Sequence, residues 1–139
     1  MNKLILDIKK HPVSYVVATL VAFLVGFTFF ALFYFWFGKF SIVGAINGTG
    51  VAGAVLVASF GLTWVSKEGA FDIVTYGFRQ MFTSMFGHKA NMYNDFVEYK
   101  EQKNIKREQS GLYYFSLLFV GLLHFIAFGV LEIVFHVLY

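Results

Sequence analysis

Three long apolar stretches divide the chain. Val13 to Gly38, Phe40 to Ser66 and Gln109 to Leu131 each run without a charged residue, and the last continues apolar to Tyr139. A helix needs about 20 mostly apolar residues to cross the hydrocarbon core of a bilayer. The pattern therefore predicts three transmembrane helices, at about 13–38, 41–66 and 111–135, in a single membrane domain covering 1–139. Between the second and third, in segment 67–110, the pattern turns amphipathic. Phe71, Val74, Phe78, Met81, Phe82 and Met85 recur close to helical period, with Asp72, Thr75 and Arg79 toward the other side. This predicts a helix over 71–86, stopped by Gly87. It either lies in the membrane interface with its aromatic face in the acyl boundary or packs back on the spans. A second helix is expected from Asn91, as its cap, to Gln109. The fold class expected is all-α: three transmembrane helices with a cytoplasmic amphipathic helix pair between spans two and three.

Composition narrows the class. Charged residues make up 14% and hydrophobic residues 58% of the 139, with 19 Phe, against about 25% and about 45–50% in soluble domains. High apolar content and a net charge of only +3 exclude disorder over most of the length. With no Cys, disulfide scaffolds and cysteine-ligated metal sites are excluded. The first apolar stretch is too long for a cleavable signal peptide and ends in Tyr34, Phe35, Trp36 and Phe37 rather than small residues, so it reads as a retained anchor. Pro12 suits its first turn.

Ten of the eleven basic residues flank the same side. Lys3, Lys9 and Lys10 precede the first span, and Lys67, Arg79, Lys89, Lys100, Lys103, Lys106 and Arg107 lie between the second and third, whereas Lys39 alone occupies the first connection. The N-terminus and the long loop are thus expected in the cytoplasm and the C-terminus outside. Tyr15, Trp64, Tyr113 and Tyr114 would anchor the inner ends, and Tyr34, Trp36 and Tyr139 the outer. A connection as tight as Gly38–Phe40 requires spans one and two to form an antiparallel hairpin.

The second span is rich in small residues. Gly44, Gly48 and Ala52 repeat at four, and small side chains permit close helix packing in lipid. That face serves a homo-oligomer or docking surface, or receives the Phe-rich first helix of the same chain; Asn47 and Thr49 would hydrogen-bond across the contact or to interfacial water. In the third span, His124, Glu132 and His136 are membrane-polar residues, and such groups are functional candidates by default. Glu132 and His136 are four apart, a spacing compatible with metal ligation or proton relay, although two ligands do not close a metal site. Nothing in the chain assembles a Ser-His-Asp or Cys-His arrangement, a phosphate loop or the inverted repeat of a transporter. No enzymatic activity, cofactor or metal is expected. Within Asp95–Glu108 four acidic residues interleave with four basic ones, which argues against nucleic acid as a partner. The late Lys103, Lys106 and Arg107 suit the helix dipole and would attract anionic lipid.

The run Lys67-Glu68-Gly69-Ala70-Phe71-Asp72-Ile73-Val74-Thr75-Tyr76-Gly77-Phe78-Arg79-Gln80-Met81-Phe82 resembles the signature of a domain-of-unknown-function family of small membrane proteins from Gram-positive bacteria. Its elements here are Gly69, Phe71, Asp72, Tyr76, Phe78, Arg79 and the charged run Tyr99–Arg107, within about residues 42–109. The resemblance implies a location, the bacterial cytoplasmic membrane, and an architecture, but no activity. It also implies that the third span is an addition to the family pattern. Asp72 and Arg79 are seven apart, on one helix face, where they would orient the helix or contact a partner.

The reading that follows is an accessory or interaction subunit presenting the cytoplasmic helix pair, with Phe71, Asp72, Tyr76, Phe78 and Arg79 as the interaction residues. Two alternatives are a small immunity or stress protein acting through its transmembrane helices, and a metal- or proton-handling membrane protein.

Overall fold

In the computed structural model, which describes residues 2–37, 41–86 and 95–138, the one proline sets the first helix boundary. Proline disfavours helical backbone in the residue before it, so His11 separates α1 (Asn2–Lys10) from α2 (Pro12–Phe37). The sequence pattern assigns no element before Pro12; the structure has a helix there. Next come α3 (Ile42–Lys67), α4 (Asp72–Phe86), α5 (Phe96–Gln109) and α6 (Phe115–Leu138). Among the described residues every regular element is a helix, and α2, α3 and α6 are each long and apolar enough to cross a membrane. The expected all-α class with three spans is the observed one. The predicted Gly38–Phe40 connection, Gly87 stop and Asn91 cap lie outside the described residues.

The chain forms two compact units: Met1–Leu62 with Leu112–Tyr139, and Thr63–Gly111. The first is built on glycine contacts. A Cβ at Gly48 would stand 2.9 Å from both the Phe30 ring and the Phe30 carbonyl oxygen, so α3 presses directly on α2. Gly26 of α2 receives Leu56 and the His124 ring, while Gly53 lies beneath Phe125 and Gly121 beneath Val57. Reading these pairs along the chain, α3 runs antiparallel to both α2 and α6, and α2 runs parallel to α6. Ala22, Leu56 and Val120 are fully buried where the three helices meet.

Near the start of α2 and α6, α1 is tied down by Asp7. Its carboxylate accepts from the Tyr15 hydroxyl at 2.6 Å and from the Leu112 backbone N–H at 2.8 Å, just before α6. The Leu112 N–H is the main cause, with the Tyr15 bond second, of an Asp7 pKa below the ordinary carboxylate range.

The second unit begins with the end of α3. The Gly69 N–H bonds the Ser66 carbonyl and the Ala70 N–H reaches back to Val65, with Gly69 at φ +92°. This is the Schellman arrangement, in which glycine supplies the left-handed residue that stops a helix. Two residues later α4 starts, and its Asp72, Tyr76, Arg79 and Thr83 side is the less exposed one. Phe71, Ile73, Val74, Phe78, Met81, Phe82 and Met85 are exposed. α5 starts at Phe96, with Asp95 as its cap accepting from the Glu98 N–H at 2.8 Å.

Candidate functional site

The densest polar arrangement described lies where α4 meets α5. Asp72, the first residue of α4, is 1% exposed. Burying a carboxylate is costly unless it is paired and hydrogen-bonded, and here it is both. Arg107 donates through Nη1 to Asp72 Oδ2 at 2.7 Å and through Nη2 to Oδ1. Lys103 Nζ stands 2.9 Å from Oδ1. The Arg107 bonds are the main reason the Asp72 carboxyl is pushed down to about 2, and Lys103 adds to them against the opposing effect of burial.

Arg107 does more than neutralise Asp72. Its Nη2 also donates to the Ser66 carbonyl at 3.0 Å and its Nη1 to Asn104 Oδ1 at 2.9 Å. The Ser66 carbonyl belongs to the last turn of α3, where a cation is favoured by the helix dipole. Lys67 closes the same junction by donating to Ser110 Oγ at 2.9 Å and to the Gly111 carbonyl at 2.7 Å. Gly69 is fixed here by space as well as by φ: a Cβ would lie 3.0 Å from Asp72 Oδ2 and 3.3 Å from Arg107 Nη1.

Below the ion cluster the two helices pack through aromatics. Tyr76 meets Phe96 and Tyr99, with ring centres 5.5 and 5.4 Å apart. Tyr99 is buried, and Lys103 donates to its hydroxyl at 2.9 Å. Tyr99, Lys103 and Arg107 follow one another at intervals of four, so one face of α5 presents all three to Asp72 and Tyr76. Chemically this is a clasp. It joins three charged groups and a tyrosine in bonds that hold two helices to the end of a third.

The candidate residues named from the sequence divide accordingly. Asp72 and Tyr76 come together, but their partners are Arg107, Lys103 and Tyr99. Arg79 lies on the same, less exposed side of α4 as Asp72. Phe71 and Phe78 point away and are exposed. Of the basic trio at the end of α5, Lys103 and Arg107 are engaged with Asp72, and Lys106 is exposed. On α3, Gly44, Gly48 and Ala52 are buried within the first unit, with Gly48 against Phe30. Thr49 bonds its own helix, donating to the Ala45 and Ile46 carbonyls rather than across a contact. His124 Nδ1 lies 2.9 Å from the Val120 carbonyl, and its ring sits against Gly26 and Phe23. Glu132 and His136 stand 3.6 Å apart near the end of α6, and the His136 side chain is 73% exposed. Among the described residues no group of three or more His, Asp or Glu side chains is placed to hold a metal ion.

Two features escape a reading of the pattern alone. Asp7 looks like an isolated acid among lysines, and only the fold brings Leu112 to it. The role of Arg107 did leave a signal: the spacing Tyr99–Lys103–Arg107 marks a helix face, and Asp72 is one of two acids, with Glu68, close after the end of α3.

The model of the family described as Domain of unknown function (DUF3899) matches residues 46–135, and the chain belongs to that family. The match includes most of α6, so the third span is part of the family pattern rather than an addition to it. No curated protein and no solved structure matches the chain.

Proposed function

We propose that this is a non-enzymatic, multi-pass protein of the bacterial cytoplasmic membrane that acts as an interaction subunit, with the α4–α5 pair as its cytoplasmic presenting element. The observation that carries this reading is how the pair is built. α4 turns its polar side inward onto α5 and leaves its apolar side, from Phe71 to Met85, exposed. That inversion suits a helix resting in the interfacial region of the membrane. It begins five residues after the end of a span, and the positive flanks support a cytoplasmic side for that end.

On this reading α5 is left to face a partner. Opposite Tyr99, Lys103 and Arg107 it carries Val97, Glu101 and Ile105 at intervals of four, and Val97 and Ile105 are 61% and 55% exposed in an otherwise hydrophilic helix. The alternatives draw less support. The Gly44, Gly48 and Ala52 face is used inside the chain, and His124 is hydrogen-bonded to its own helix.

A photo-crosslinking amino acid at Glu101, in the full chain in its native membrane, tests the reading. One discrete adduct, lost when Val97→Ser and Ile105→Ser are combined with helicity retained, is the expected result. A smear of adducts, none at all, or an adduct indifferent to the two substitutions overturns it.

A further inference from the structure

Outside the clasp, the first unit carries a groove of about 670 Å³ bounded by α1, α2 and α6. Leu4 and Ile8 of α1, Val16 and Leu20 of α2, and Phe119 and Leu122 of α6 supply its walls. Its volume falls in the range of about 300–1,000 Å³ typical of small-molecule sites. The few hydroxyls along it are already engaged: Thr19 donates to the Tyr15 carbonyl at 2.8 Å and shares a hydrogen bond of 3.1 Å with Ser116, while Tyr15 donates to Asp7. The groove therefore offers a ligand almost nothing but hydrocarbon. That chemistry fits an acyl chain.

The mouth has a charge preference. Leu4 and Ile8 line the groove, and Ile5 and Lys9 form the adjoining row of α1, four apart and exposed. Asp7 lies on the opposite flank, where Tyr15 and Leu112 take up its carboxylate. The negative charge of α1 is thus turned into the protein, while Lys9, followed by Lys10, is left exposed beside the groove. The geometry points to a bound phospholipid: one acyl chain of an anionic lipid lies in the α1–α2–α6 groove and its phosphate meets Lys9. α1 is then the lid of a lipid site, which gives a helix absent from the hydropathy pattern a specific task. The inference rests on the apolar spans and not on the interaction role of α4 and α5.

Native mass spectrometry of the full chain in mild detergent, titrated with phosphatidylglycerol or with phosphatidylcholine of the same chains, tests it. The wild-type protein should retain one phosphatidylglycerol in preference to phosphatidylcholine. Lys9→Gln should weaken that preference about fivefold, the worth of one basic side chain near anionic headgroups. Val16→Trp, at an exposed position on the groove wall, should displace both lipids, with circular dichroism and size-exclusion profiles unchanged. Equal retention of the two lipids by the wild type marks annular lipid only and overturns the proposal, as does undiminished retention by Val16→Trp. If either variant loses its helicity, Leu20→Trp replaces Val16→Trp and Lys9→Ser replaces Lys9→Gln, with the same outcomes required.

Discussion

Replacing Asp72 with Asn tests whether the clasp holds the second unit together. The substitution keeps the shape and removes the charge that Arg107 and Lys103 both address. The size of the loss follows from the geometry in two ways. A carboxyl lowered from 3.8 to about 2 reflects about 2 kcal/mol of preferential stabilisation of the charged form. Breaking a buried ion pair by deleting one partner costs about 3–5 kcal/mol. Here the deleted partner is 2% exposed, but Lys103 is 31% and Arg107 16% exposed and both regain water, which places the loss nearer 2 kcal/mol. That is about a thirtyfold change in the opening equilibrium. Amide hydrogen exchange of the full chain in micelles reads it locally: protected amides of α4 and α5 should exchange about thirtyfold faster while those of α2 and α6 hold. The pH dependence has a definite sign. Because the folded-state pKa is depressed, the stabilisation is complete above the ordinary carboxylate value of 3.8 and is lost as pH falls through about 2. After correction for intrinsic rates, the wild type should lose protection over that window and the Asn variant should show no such step. Exchange in α4 that is unchanged by the substitution, or that rises equally in the spans, refutes the clasp.

Four further substitutions probe other points of the fold. Gly69→Ala places a Cβ at φ +92° and 3.0 Å from Asp72 Oδ2; left-handed backbone alone costs about 1–2 kcal/mol, so α4 and α5 should again lose protection selectively. Gly48→Ala drives a Cβ to 2.9 Å from the Phe30 carbonyl and should lower the denaturant midpoint in micelles. Gly61→Ala, where nothing lies within 4 Å, should leave that midpoint unchanged or raise it, through a gain in stability of up to the ~1 kcal/mol of helix propensity that separates alanine from glycine. Asp7→Asn removes the charge from the bonds to Tyr15 and Leu112, each worth about 1.5–3 kcal/mol at most. Exchange should then accelerate in α1, and in the wild type the same loosening should appear as pH falls through the depressed Asp7 pKa.

What the pattern of the chain reveals is set by what each interaction needs. A span needs length and apolarity, both of which are local, so α2, α3 and α6 are legible within a few residues of their observed limits. α4 is legible because its period is strong. α1 is not, since Asn2–Lys10 mixes three lysines and an acid with its apolar residues, and its anchor is Leu112, 105 positions away. The first turn of α5 takes its cap from Asp95, whose carboxylate accepts the Glu98 N–H, a local bond that the apolar pattern does not single out from other eligible residues.

The signature residues show why a motif can be visible and its meaning hidden. Gly69, Asp72, Tyr76 and the Tyr99–Arg107 run look like a contact surface when read along the chain, because polar residues near a membrane suggest something to be recognised. Folding uses most of them up. Gly69 ends α3 and leaves room for the carboxylate, Asp72 holds Arg107 and Lys103, and Tyr76 packs on Tyr99. In this chain such residues are scaffold, which tells where the helices are held and nothing about what they are held for. Function has to be sought on what the clasp leaves over. In the second unit that remainder includes two surfaces, the apolar side of α4 and the Val97–Glu101–Ile105 row of α5. If the clasp exists to fix the angle between those surfaces, substitutions at Asp72 and substitutions at Val97 and Ile105 should abolish the same crosslink by different routes, the first with loss of protection in α4 and the second without it.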